Sequence, residues 1–290
     1  MRFGLLTPVV TGHAAHGSPW EESAGPAEIS RIAVAADRLG YHHLTCSEHV
    51  AIPREAVAAR GSRYYDPLAT LAFIAGQTSR IRLATHVVVL PYHHPVALAK
   101  RYGTLDRLSG GRLVLGVGVG TLEEEFALLD VPFAGRGPRY EDALRALRAA
   151  LGQREPRYAG SHHRFDGVVV DPHAVQPHVP IWLGGRTARS LRRALTLADG
   201  WAPFGLPPDR LAALIATARK RCAWPRPFDV VLAPDTVPDP TTVAGRTALA
   251  ALIGRYRTLG ATILNLRFTA RDVVHYLDQM DAFIRSSSTT

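Results

Sequence analysis

Lysine, cysteine and methionine are nearly missing from this chain, with two of each in 290 residues. Cys46 and Cys222 alone support neither a disulfide framework nor a CxxC metal or redox pair, so the sequence predicts a reduced, cytoplasmic protein. No apolar run reaches the roughly 18 residues that a membrane-spanning helix needs. Residues 1–6 meet Thr7-Pro8 too early for the apolar core of a signal peptide. HExxH and the nucleophile elbow GxSxG are absent. The paired histidines (His42-His43, His93-His94, His162-His163) are adjacent residues, which rarely ligate one ion together, so no metal site is expected.

Arginine supplies almost all the positive charge: 32 of the 34 basic residues, against 25 acidic ones, for a net charge of +9. These arginines are scattered, and the densest cluster, Arg189, Arg192 and Arg193, has helical spacing. Without a basic stripe interleaved with aromatics, or a known module, nucleic acid is not an expected partner. A basic surface suits a phosphorylated, anionic cofactor equally well. With 47% hydrophobic and 20% charged residues, the chain buries a sizeable core and is not disordered.

Short β-branched runs alternate with amphipathic helical patterns along the whole length. Strands are predicted at residues 2–6, 42–47, 81–87, 112–117, 180–185, 200–203, 229–233 and 262–268. Helices are predicted at 26–39, from 66–67 onward, and at 95–108, 122–129, 139–151, 188–197, 208–222, 241–259 and 271–285. Residues 152–179, rich in His, Pro and Gly, read as an irregular insertion after the fourth strand and its helices. Eight β/α units in about 285 residues predict an α/β fold of the (β/α)8, or TIM barrel, type. A doubly wound open sheet would alternate in the same way, but no glycine-rich turn follows the first strand, where Leu6-Thr7-Pro8-Val9 stands. One domain over residues 1–285 is expected, with a frayed tail at 286–290.

Barrel active sites lie at the C-terminal ends of the strands. That rule selects Thr7 and Pro8, Ser47-Glu48-His49, Thr85-His86-Val87, the glycine run at 116–120 with Thr121, and Gly184-Gly185-Arg186-Thr187. Glu48 and His49 carry the most chemistry, since a histidine exchanges protons near neutrality and a carboxylate tunes it. A polar loop with a surface histidine is the plain alternative. Alternating glycines let a flat ligand or a phosphate approach the backbone, although GxGxG lacks the last glycine of the dinucleotide fingerprint. Gly184-Gly185 opens a helix whose N-terminal amides suit an anion. Tight strand-to-helix turning would account for both glycine motifs equally well.

At these residues the chain resembles the bacterial luciferase-like superfamily, and within it the oxidoreductases that use the deazaflavin coenzyme F420. The likeness rests on Ser47-Glu48-His49, residues 95–113 and 115–120, residues 180–185, and Ala198-Asp199-Gly200-Trp201. The resemblance implies an isoalloxazine-type ring across the barrel mouth, with Glu48 and His49 beside it as catalytic residues. It implies a cofactor phosphate held by Gly118, Gly120, Thr121, Gly184, Gly185 and Arg186. It also implies that Thr85, His86 and Val87 back the ring, with a cis peptide between His86 and Val87. Thr121 stands where some deazaflavin dehydrogenases carry a glutamate, and Glu123, Glu124 and Glu125 follow only on the next helix, which argues against sugar-phosphate dehydrogenation. The function implied is hydride transfer between coenzyme F420 and a small organic substrate, in a homodimer. An FMN-dependent monooxygenase is the alternative, and a non-catalytic flavin-binding barrel a second one.

Overall fold

The computed structural model describes residues 1–12, 17–221, 223–224 and 227–287. Eight parallel strands close a barrel: β1 (Arg2–Leu5), β2 (His43–Cys46), β3 (Arg82–Thr85), β4 (Leu113–Gly118), β5 (Ile181–Gly184), β6 (Gly200–Ala202), β7 (Asp229–Leu232) and β8 (Ile263–Leu266). The order around the barrel is β3-β2-β1-β8-β7-β6-β5-β4, and the pairing of Ala84 with Val114 returns β4 to β3. The predicted fold class holds, because the strands are parallel and mostly buried on both faces, with charged Arg2, Arg82 and Asp229 confined to their starts. Alternation divides the strand residues in two. Ala84, Val114, Trp182, Ala202, Val231 and Ile263 fill the barrel interior. Leu5, Leu44, Leu83, Leu115, Leu183 and Leu264 pack in the larger core with helix residues such as Ile32, Leu98 and Leu144.

Three helices begin at the prolines the sequence indicates, whereas others shift by up to three residues, as at Arg136–Leu151 and Val273–Ser287. Pro26, Pro67 and Pro95 stand in the first turns of Pro26–Leu39, Pro67–Ala75 and Pro95–Leu108. Their missing N–H groups would lack a helical partner in any case. Gly40 closes the first of these helices at φ +80°, a left-handed position that favours glycine.

Three differences from the sequence expectation bear on the site. The third strand does not run unbroken to Val87. It stops at Thr85, the His86–Val87 peptide is cis as expected, and Val88–Val89 resume pairing with Val117 and Gly118 of β4. Residues 152–179 are more ordered than expected, because Tyr158–Ala159 pairs antiparallel with Arg164–Phe165. The Asp142 carboxylate accepts from the Tyr158 hydroxyl and from the Ser161, His162 and His163 amides, which fixes that hairpin on the barrel. Finally, Ser286 and Ser287 belong to the last helix (Val273–Ser287) rather than to a frayed tail, while the rest of that tail lies outside the described residues. Cys222 also lies outside them, and Cys46 is a buried free thiol.

Candidate functional site

The mouth of the barrel is built where β2 and β3 end. Ser47 Oγ donates to the His86 carbonyl at 2.8 Å, and the Glu48 amide donates to the Val87 carbonyl at 3.2 Å. The two strand ends are thereby joined across the cis peptide. Because β2 stops at Cys46, Glu48 and His49 are free of strand alternation and turn to different partners. Glu48 is buried, accepts from the Val89 amide at 2.6 Å, and pairs with His93 Nε2 at 2.8 Å. It anchors the segment after β3, so its carboxylate is engaged by protein rather than presented to a ligand.

His49 meets a residue that the sequence did not single out. Its Nδ1 lies 2.6 Å from Glu125 Oε2. Glu125 Oε1 accepts from the Val50 and Ala51 amides at 2.7 and 3.3 Å, and the Tyr92 hydroxyl donates to Oε2 at 3.3 Å. Burial by itself would raise the Glu125 carboxyl, but the His49 hydrogen bond and the two amides outweigh it and hold it below the usual carboxylate range. Burial, and then the charge of Glu125, push the Tyr92 phenol well above its ordinary value. An ionised carboxylate only accepts, so Nδ1 carries the proton and Nε2 is the nitrogen left to exchange one. The Tyr64 ring packs edge-on against the imidazole at 4.5 Å. Glu125 was legible in principle. Leu122, Phe126 and Leu129 form an i, i+4, i+7 apolar stripe around helix Glu123–Leu128, and Glu125 lies on that stripe.

The floor of the mouth is Val87. A Cβ at Gly118 would lie 2.6 Å from the Val87 side chain and one at Gly184 3.1 Å from it; at Gly116 the first obstacle would be the Thr85 carbonyl, with Val87 at 3.6 Å. These glycines let a β-branched residue lie flat against the strand ends, which leaves an apolar shelf. Of the expected ring-backing residues, Val87 and His86 are half-buried at this shelf. Burial pushes His86 down to about 4, so it is neutral. Thr85 is fully buried and donates its hydroxyl to the Gly116 carbonyl at 2.7 Å.

The glycines predicted to hold a phosphate also have packing reasons to be glycine. Gly120, at φ +77°, would carry a Cβ into Phe126 and Val89; Gly185, at φ +125°, would carry one 2.7 Å from the Ser190 Cβ. Beyond Gly185, Thr187 caps helix Ala188–Leu197 by accepting from the Ser190 amide at 3.2 Å. Arg186 and Thr121 are exposed, and the Arg186 guanidinium lies 5.4 Å over the Phe204 ring. A helix N-terminus, Arg186 with no ion-pair partner among the described residues, and an apolar shelf beside His49 fit a flat ring that carries an anionic tail. Among the described residues, no group of three His, Cys, Asp or Glu side chains is arranged to hold a metal ion. No helix among them is long and apolar enough to cross a membrane.

Comparison with known proteins agrees with this architecture. The chain is 30% identical over 214 residues to an uncharacterised protein of Mycobacterium tuberculosis, covering 69% of this chain and 74% of that one. The monooxygenase RslO1 from Streptomyces bottropensis superimposes with a TM-score of 0.78 at 23% identity, over 100% of this chain and 99% of that one. An F420-dependent secondary alcohol dehydrogenase, solved with an F420-acetone adduct, superimposes with a TM-score of 0.74 at 13% identity, over 98% and 97%. The sequence model of the luciferase-like monooxygenase family matches residues 1–284, and the chain belongs to that family.

Proposed function

We propose that this protein is an oxidoreductase that moves a hydride between the deazaflavin coenzyme F420 and a small organic substrate. The observation that carries the reading is the His49–Glu125 pair at the edge of the Val87 shelf. When bound, the deazaflavin ring supplies a carbon that accepts or returns a hydride. Hydride exchange leaves one proton for the protein to take up or deliver, and His49 Nε2 is the group built for it. Glu125 fixes the imidazole in one tautomer, while Tyr92 and the Val50 and Ala51 amides hold Glu125 in turn. Val87 supports the ring without competing for its proton. Arg186 and the Ala188 and Arg189 amides, which precede the capped Ser190 amide and have no intrahelical acceptors, receive the phosphate.

A second reading, an FMN-dependent monooxygenase, is favoured by the likeness to the Streptomyces bottropensis enzyme. Separate fluorescence titrations of the protein with F420 and with FMN distinguish the two. Saturable binding of F420 and not FMN supports the proposal, and the reverse overturns it. His49→Ala should lower turnover by about 10²–10⁴-fold while cofactor affinity stays nearly constant. Unchanged turnover would remove His49 from the mechanism.

A further inference from the structure

A buried ion pair ties the loop after β1 to the end of β8. Glu21 and Arg267, the residue that follows β8, pair at 2.6 Å with 7% and 10% of their side-chain surfaces exposed. Glu21 also engages its own loop with both carboxylate oxygens. Oε2 accepts from the Val9 amide at 2.8 Å, and Oε1 from the Ser18 amide at 2.9 Å. The Arg267 guanidinium donates in addition to the Thr11 carbonyl at 3.3 Å. Val9 is fully buried at φ +72°, left-handed backbone that a β-branched residue rarely adopts. The Val10 amide turns back there onto the Pro8 carbonyl at 2.8 Å. Backbone of this kind persists only where its surroundings over-determine it, and the Glu21 carboxylate does so by taking the Val9 amide.

Just beyond this turn the loop is sewn to the segment that carries Tyr64. The Tyr65 amide donates to the Val10 carbonyl at 3.0 Å and the Gly12 amide to the Arg63 carbonyl at 2.8 Å, which sets Thr11 opposite Tyr64 in an antiparallel bridge. The Arg63 guanidinium returns to the loop and donates to the Glu21 and Glu22 carbonyls. The Tyr64 hydroxyl donates to the Arg60 carbonyl at 2.9 Å, so the ring is held at both ends. That ring packs against the His49 imidazole, with centroids 4.5 Å apart and planes at 68°.

The Glu125 hydrogen bond holds the imidazole at one nitrogen only. A ring held at one nitrogen can still swing about the line from Nδ1 to the carboxylate, which would carry Nε2 away from its target. We propose that Glu21 is a positioning residue for His49. It holds residues 9–12, they hold residues 63–65, and the Tyr64 ring closes off the swing and keeps Nε2 aimed. The inference rests on the reading of His49 as the proton-exchanging group.

The test reads the imidazole directly, by nitrogen NMR of isotopically labelled histidines at about pH 8, above the ordinary imidazole range. His49 is assigned by its loss in His49→Asn. In the wild type His49 should give two sharp, well-separated nitrogen resonances, with the proton on Nδ1. In Tyr64→Leu they should broaden and converge, because a swinging ring leaves Glu125 and mixes in the other tautomer. Tyr64→Phe keeps the ring and the backbone bridge, and should restore the wild-type spectrum. Removing one charge of a buried pair leaves the other uncompensated, so the ion pair is removed as a whole in Glu21→Gln/Arg267→Met. That variant should broaden His49 as Tyr64→Leu does, and should add nothing in the Tyr64→Leu background, since both changes act along one path. Arg63→Ala cuts the same link and should act in the same direction, which keeps the test decisive if the double variant does not fold. Wild-type His49 resonances in folded Tyr64→Leu or in the folded loop variants, or additive broadening in the combination, overturn the positioning role and leave the oxidoreductase reading intact. Unchanged turnover in His49→Ala removes His49 from the chemistry, and the positioning role falls with it.

Discussion

His49 and Glu125, 76 residues apart in the chain, meet through a 2.6 Å contact between Nδ1 and a carboxylate oxygen. The His49 side chain keeps 18% of its surface exposed and Glu125 only 1%. One partner is partly exposed while the other lies buried behind it, the arrangement that the proposed proton exchange at His49 requires.

Glu125→Ala should therefore separate orientation from binding. It leaves the His49, Val50 and Ala51 donors without their acceptor, at about 1–3 kcal/mol for each that stays buried and unpaired. That loss is read as a lower urea midpoint. Turnover of the folded variant should drop roughly 10–100-fold, the usual scale for a residue that orients another, while cofactor affinity holds. Full turnover in Glu125→Ala would show that His49 needs no such orientation.

Adjacent glycines should respond differently. Gly185 has φ +125°, and its Cβ would collide with Ser190, so Gly185→Ala should cost about 1–3 kcal/mol and lower Tm. At Gly184 a Cβ would press on Val87 from 3.1 Å, at the shelf itself. Gly184→Ala should leave Tm nearly unchanged and weaken cofactor binding. Normal binding by that variant would show that the shelf is not the ring's seat.

Acid should unfold the barrel through its histidines. Burial holds His42 and His86 down to about 4, and His43, fully buried against Gly4, lies well below its ordinary value for the same reason. The unfolded chain binds protons near pH 6.5 and the folded one does not. Stability is thus complete above that pH and is lost as pH falls towards 4. Between pH 7 and pH 5 the loss should be roughly 2 kcal/mol for His86 alone. Urea titrations at the two pH values measure it, and His86→Asn should flatten the slope. A pH-independent midpoint over that range would contradict neutral burial.

Much of the barrel was legible because its signals are local. Period-2 apolar runs, prolines in first turns and Gly40 after a helix act within a few residues, so the helices 26–39, 95–108 and 188–197 match the structure at both ends. The hairpin in the insertion was not legible, because its anchor is Asp142, on another helix. The break in the third strand at His86 followed from resemblance to a family, not from any propensity in Thr85-His86-Val87.

The sequence by itself determined eight strands, their helices, and the segments that gather at one end of the barrel, since parallel closure carries every strand's C-terminus to the same face. It also placed Glu48 and His49 there as neighbours. Tertiary structure alone decided that they turn to different partners. Once β2 ends at Cys46, alternation no longer governs direction, and each side chain follows whichever distant partner packing supplies. For Glu48 that partner is the Val89 amide, and for His49 it is Glu125, which follows β4 and is brought across the intervening β3 by strand pairing.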